Sequence, residues 1–204
     1  LARCGKYSTE IVGPLARGAE QIRSLGEKWR NYATKRDPQI LRNSDKSDLL
    51  KSALQSWTLA EGQIEHSAFE KIRPYTMIFR RHEKDWLCTE VGQRSVYSEW
   101  FGKEWALSTV GRSMSNLPGG GGFASLLRQP FDTIFVSHGL WYDHIVTQIA
   151  QDQAGCLQIA SYDRLLMGAR FPDNSFALLS IVHQTKAIDI KGLPENVKKM
   201  LTLS

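Results

Sequence analysis

Long apolar runs are missing from this chain: nowhere in its 204 residues do ~18 apolar residues follow one another, as a membrane-spanning helix needs. Cysteine is scarce. Cys4, Cys88 and Cys156 are an odd number without paired spacing, which argues against a disulfide framework and for a reducing, cytoplasmic setting. No two cysteines or histidines fall at zinc-ligand spacing, and the closest histidines, His138 and His144, match no common metal motif. The opening LARCGKYSTE lacks the apolar centre of a secretory signal and begins at Leu1, as a processed or trimmed chain would. Signatures of catalysis are missing as well. There is no Gly-x-Ser-x-Gly elbow and no histidine-rich tract, and Ser137 beside His138 in sequence does not place a base on a nucleophile. The expectation is a protein that is not an enzyme.

What is present fits a folded domain with a buried core: 42% hydrophobic residues against 23% charged. The formal net charge is +5, but the cations are dispersed among Lys28, Arg30, Lys35 and Arg36, then Arg80 and Arg81, then Lys191, Lys198 and Lys199. No aromatic pattern is interleaved with them, so they read as solvated surface rather than a nucleic-acid stripe.

Residues 1–70 read as helical. Ile11, Leu15, Ala19, Ile22, Leu25 and Trp29 recur at three- and four-residue spacing through a stretch ending YATKR, weakened by Gly13, Pro14, Gly18 and Gly26. RDPQILRNSDKSD looks like a connector. A second helix is expected from a cap at Ser44, Asp45 or Ser47, with Leu50, Leu54, Trp57 and Ile64 or Ala68 on one face and Gly62 interrupting it. After Pro74, YTMIFRRHEKDWLCTEVG carries the β-branched and aromatic residues of a hairpin, with strands near residues 75–81 and 86–91. SVYSEWFG and LSTVGRSMSN suit one-turn helices and loops. A helix is then expected to start at Pro130 and to be capped by Gly139. LWYDHIVTQIA, CLQIASYDRLLMGARF and SFALLSIVHQT read as three strands separated by the turns QDQAG and FPDNS. Within DIKGLPENVKKMLTLS, residues 191–204 read as a tail, with an amphipathic helix expected from about Pro194.

This order of strand, strand, short helices, helix and three strands resembles a PAS domain. GQRSVYSEWFGKE, with Phe101 and Gly102, resembles the small helix after the second PAS strand, and TVGRSMSNL, with Val110 and Gly111, the next short segment. IASYDRLLMGARFPDNSFALLSIV, with Arg164 to Leu166 before a polar turn, resembles the last two strands of some bacterial PAS domains. The resemblance covers residues 71–190. It implies an α+β fold, a five-stranded antiparallel sheet covered on one face by short helices, preceded by a helical extension over residues 1–70. It also implies a sensory or signalling role: a small molecule bound between sheet and helices, and a signal passed to a partner protein or through a homodimer formed by the N-terminal helices. The alternative is a ligand-free interaction or dimerisation module.

The glycine stretch SNLPGGGGFASLL is weighed against phosphate loops first. No Lys-Ser/Thr follows Gly122, and no strand runs directly into it, so the stretch reads as a flexible joint. The ligand-binding candidates are His138, His144, Tyr162, Arg164, His183 and Trp105. The resemblance implies that His138 could hold haem, while the helix dipole favours a solvent-facing histidine there, which is the preferred reading. His144 and His183 lie on strands where alternation could aim either inward. Tyr162 and Arg164 share one face of their strand and Asp163 points away. A cysteine-linked flavin photocycle is disfavoured, because the Asn-Cys-Arg-Phe-Leu motif of flavin-binding photosensory members is missing: Cys88 lies on a strand and Cys156 in a turn.

Overall fold

The computed structural model describes residues 31–43, 47–114, 120–150, 157–186, 193–195 and 198; for 120–127, 148–150 and 157–158 the backbone alone is described. The expected helix over residues 11–29 and most of the tail lie outside these.

A six-stranded antiparallel sheet organises the chain. Its strands are β1 (Tyr32–Arg36), β2 (Thr76–His82), β3 (Asp85–Val91), β4 (Leu140–Ala150), β5 (Leu157–Arg170) and β6 (Phe176–Gln184), in the spatial order β1-β4-β5-β6-β2-β3. Among the described residues four α-helices accompany it: α1 (Asp48–Leu59), α2 (Val96–Phe101), α3 (Lys103–Thr109) and α4 (Gly120–Ser137). The α+β class and the strands from Thr76 onward agree with the sequence reading.

Four expectations need correcting. The sheet has six strands rather than five, because Tyr32–Arg36 is a strand paired with Tyr142–Val146 of β4 and not the end of a helix. It is short, polar and on the edge, and its order comes from that pairing rather than from intrinsic preference. The compact unit therefore begins at Asn31, not near residue 70. Helices lie against both faces of the sheet rather than one, since alternate residues of β5 enter two separate apolar clusters. On one face, Tyr162 and Leu166 meet Tyr97, Trp100, Phe131 and Ile134 from α2 and α4. On the other, Leu165 and Met167 meet Leu50, Ala53 and Leu54 from α1. Finally, α4 does not start at Pro130 but runs through it, and the left-handed residue that ends the helix is His138 (φ +52°) rather than Gly139.

Local chemistry accounts for the helix ends. Ser47 Oγ accepts from Leu50 N–H (3.2 Å) to start α1, and Glu61 and Gly62, both at positive φ, end it. Trp57 Nε1–H then donates to Gly168 O (2.6 Å), fastening α1 to the sheet. Ser95 caps α2, with its Oγ accepting from Ser98 N–H (3.2 Å). Two aromatic groups fill the side under α2 and α4: Phe131 sits edge-on to Phe79 (5.1 Å) and Trp86 (5.5 Å), while Trp100 sits edge-on to Tyr162 (5.5 Å).

Candidate functional site

Four charged or titratable residues occupy neighbouring rungs of β4 and β5, where Asp143 faces Arg164 and His144 faces Asp163. Successive residues alternate across a sheet, so the two pairs project to opposite faces. Each is buried, and each is satisfied differently.

On the face covered by α2–α4, the carboxylate of Asp143 takes Arg164 in a fork: Nε–H donates to Oδ1 at 3.0 Å and Nη2–H to Oδ2 at 2.6 Å. Trp141 Nε1–H donates to the same Oδ2 (2.8 Å), which orients the indole. Burial alone would lower the affinity of Arg164 for its proton, but Asp143 outweighs it and the guanidinium stays charged. Two groups on this face have no hydrogen-bond partner among the described residues: Arg164 Nη1 and Tyr162 OH, both on side chains with no solvent exposure. Burial pushes the Tyr97 hydroxyl up to about 12 and Tyr162 well above its usual value, so both phenols keep their protons. Orphaning a buried polar group costs about 1–3 kcal/mol. Two of them weigh heavily in a domain whose whole stability is ~5–15 kcal/mol.

On the opposite face, His144 Nδ1 lies 2.7 Å from Asp163 Oδ1, and Arg36 Nη1–H of β1 donates to the same oxygen at 3.0 Å. Ser161 Oγ lies 3.3 Å from His144 Nε2. Burial pushes the Asp163 carboxyl up, but His144 and Arg36 outweigh it and hold it below the ordinary carboxylate range. Ser161, His144 and Asp163 have the sequence of contacts of a hydrolytic relay, yet all three are buried in the sheet. Their side chains bond to one another across the two strands, as a core hydrogen-bond network does.

The sequence candidates thus separate into groups. Tyr162 and Arg164 are brought together, as their alternation predicted, and Asp163 points away. Trp105 joins the edge of the same face, packed against Phe101 (4.8 Å) and Tyr97 (6.4 Å). His144 and His183 both neighbour Asp163, from β4 and β6, on the α1 face and so away from Tyr162 and Arg164. His138 is exposed at the end of α4, edge-on to Phe176 (5.0 Å), and none of the other candidates shares its position. Among the described residues no group of three or more His, Cys, Asp or Glu could hold a metal ion, and no helix is long and apolar enough to cross a membrane.

Asp143, Arg36, Ser161 and Tyr97 were not among the sequence candidates. Asp143 had a signal: it interrupts an apolar strand, as Arg164 does one turn later in the chain. Arg36 had none, because its strand was read as helix. Grooves lie elsewhere: about 530 Å³ between α1 and residues 67–75, and about 740 Å³ along α4 beside Arg128 and Val136.

No family model and no curated protein matches this chain. Among solved structures it is similar to an IclR homolog from Microbacterium hydrocarbonoxydans complexed with 4-hydroxybenzoate, at 13% identity over 80% of this chain and 67% of that one, with a TM-score of 0.23. A superposition that poor carries no argument about fold or ligand.

Proposed function

We propose that the chain is a PAS-like sensory domain that binds a small molecule between its sheet and helices α2–α4 and passes the resulting shift to a partner. The observation that carries this reading is the pair of unpartnered, fully buried donors, Arg164 Nη1 and Tyr162 OH, on the sheet face under those helices. Structural ion pairs in cores are ordinarily satisfied throughout. Two orphaned donors on one strand and one face are what a site awaiting an acceptor would present. The succession of two strands, short helices, a longer helix and three strands from Thr76 onward supports the same reading.

One observation favours a second reading, an interaction module without ligand: Leu107 on α3 and Val136 on α4 are 79% and 82% exposed. Native mass spectrometry of the freshly purified full chain, with its absorption spectrum, separates the two. The sensory reading expects bound mass, colourless or coloured, that is lost in Tyr162→Phe. Bare mass, together with an unfolding stability that Tyr162→Phe leaves unchanged, would overturn it and leave the interaction reading.

A further inference from the structure

Helix α1 buries Leu50, Ala53 and Leu54 against the sheet and leaves a groove on either flank of its outer side. One, of about 530 Å³, runs between α1 and residues 67–75 and is lined by the apolar side chains of Leu49, Ala68 and Ile72. The other, of about 430 Å³, is lined by Leu54 together with Arg42 and Lys51. Gln55 and Leu59 line both, so they form the crest between the two grooves, and Leu59 is 71% exposed. A large apolar side chain held in water between two grooves marks a contact surface.

The charges around this crest are unmatched. Lys71 lines the first groove, Arg42 and Lys51 the second, and none of the three has an ion pair among the described residues. Elsewhere the exposed cations are answered: Arg80 meets Asp173, and Arg81 and Arg128 share Asp132 beside the groove along α4. Among the described lining residues of the two α1 grooves Asp48 is the single anion, and it sits in the first turn of α1, where the helix dipole favours it. Three cations against one anion call for acidic groups from outside. The walls decide the shape of what brings them. An added strand needs unpaired backbone groups, but residues 67–75 spend theirs in local turns: Glu70 N–H donates to Ser67 O, Ile72 N–H to Phe69 O and Tyr75 N–H to Ile72 O. A proline-rich segment needs a row of aromatic rings, and Tyr75 is the one aromatic among the described lining residues. A helix needs neither, and the 12 residues of α1 give it a bed about 18 Å long.

We infer that the α1 grooves dock an acidic amphipathic helix of a partner protein. Its apolar stripe lies against Leu49, Leu59 and Ala68, with carboxylates reaching Lys71 on one side and Lys51 and Arg42 on the other. The inference is independent of ligand binding at Tyr162 and Arg164, which belong to the opposite face of the sheet. The test titrates the full chain into two labelled synthetic helices of about 18 residues, long enough to hold helical structure. Both carry leucine at i, i+3, i+4 and i+7; one has glutamate along the flanks of that stripe and its twin has lysine. Fluorescence anisotropy reads the binding. The glutamate peptide is expected to saturate below about 1 mM and to bind at least about tenfold tighter than its twin, the gap closing in ~1 M salt. Leu59→Asp should weaken it by about tenfold, and so should Lys51→Glu combined with Lys71→Glu. An unchanged urea midpoint shows that each variant is folded. A lysine twin that binds as tightly, or no saturation by either peptide, would overturn the inference. A dimer of the chain in native mass spectrometry that Leu59→Asp dissolves would also overturn it and give this face to a second copy.

Discussion

Replacing Asp143 by Asn is nearly isosteric, so its effect isolates charge from shape. It leaves the Arg164 guanidinium buried without a counter-ion, keeping at most one weak amide acceptor where two ionic contacts of 2.6 and 3.0 Å stood. Breaking a buried pair from one side costs ~3–5 kcal/mol, a fifth or more of the ~5–15 kcal/mol a domain usually has in hand. Removing both partners is a different matter. In Asp143→Leu with Arg164→Met, two desolvated charges disappear together, and so does the orphaned Nη1, itself a burden of ~1–3 kcal/mol. Against that, the Trp141 indole N–H loses its acceptor, so the double variant should be about as stable as the parent, and more stable than Asp143→Asn by ~2 kcal/mol or more. Urea unfolding of the full chain, followed by tryptophan fluorescence, measures all three proteins on one scale. A double variant no more stable than Asp143→Asn would refute the reasoning: it would mean that the pair stabilises the sheet in its own right and needs no binding role to explain it.

Three further outcomes follow from geometry outside the site. Gly92→Ala should cost ~1–3 kcal/mol, at the upper end, because the added Cβ would lie 2.3 Å from Pro74 O, a backbone atom that cannot step aside; an unchanged urea midpoint would contradict it. The thiol of Cys88, which burial pushes up to about 12, should resist alkylation at pH 8 in a Cys4→Ser, Cys156→Ser background and react only on unfolding; prompt labelling of the folded chain would contradict that. The exposed Asp173 carboxyl, held down to about 2 by hydrogen bonds from Ser175 and by Arg80, binds its proton less readily folded than unfolded. Its contribution to the β5–β6 turn is therefore complete above the ordinary carboxylate value of 3.8 and is lost as pH falls toward 2. A carboxyl ¹³C titration with a midpoint near the ordinary value would show the turn contacts to be absent.

Much of the sheet was readable because its strands are long, apolar and separated by clear turn residues: LWYDHIVTQIA became β4 without a residue's change. Even the register of β4 and β5 was within reach. The pairing of Asp143 with Arg164 centres between Gln153 and Ala154, inside the QDQAG turn. A slip of one residue would set Asp143 against Asp163, two like charges, whereas the observed register sets Asp against Arg and His against Asp. The pattern of charges thus selects its own alignment. β1 was unreadable for the opposite reason. YATKR is an edge strand of alternating half-buried and exposed residues with little β-branching, and it continued a helical rhythm from upstream. Only the strand it pairs with reveals it. The orphaned donors could not have been foreseen either, since sequence shows which residues are polar but not which bonds go unmade.

A sheet is one strand thick, and here that thinness sets the distance between two environments. Asp163 and Arg164 are joined by a single peptide unit, yet one answers to Asp143 beneath the helices and the other to His144 and, through Arg36, to β1. Were an occupant to draw Arg164 toward α2–α4, β5 would have to roll about its own axis. The roll would swing Asp163 the other way and loosen or tighten its hold on the edge strand. No chain of repacked side chains need span the core; the strand itself would serve as the rocker.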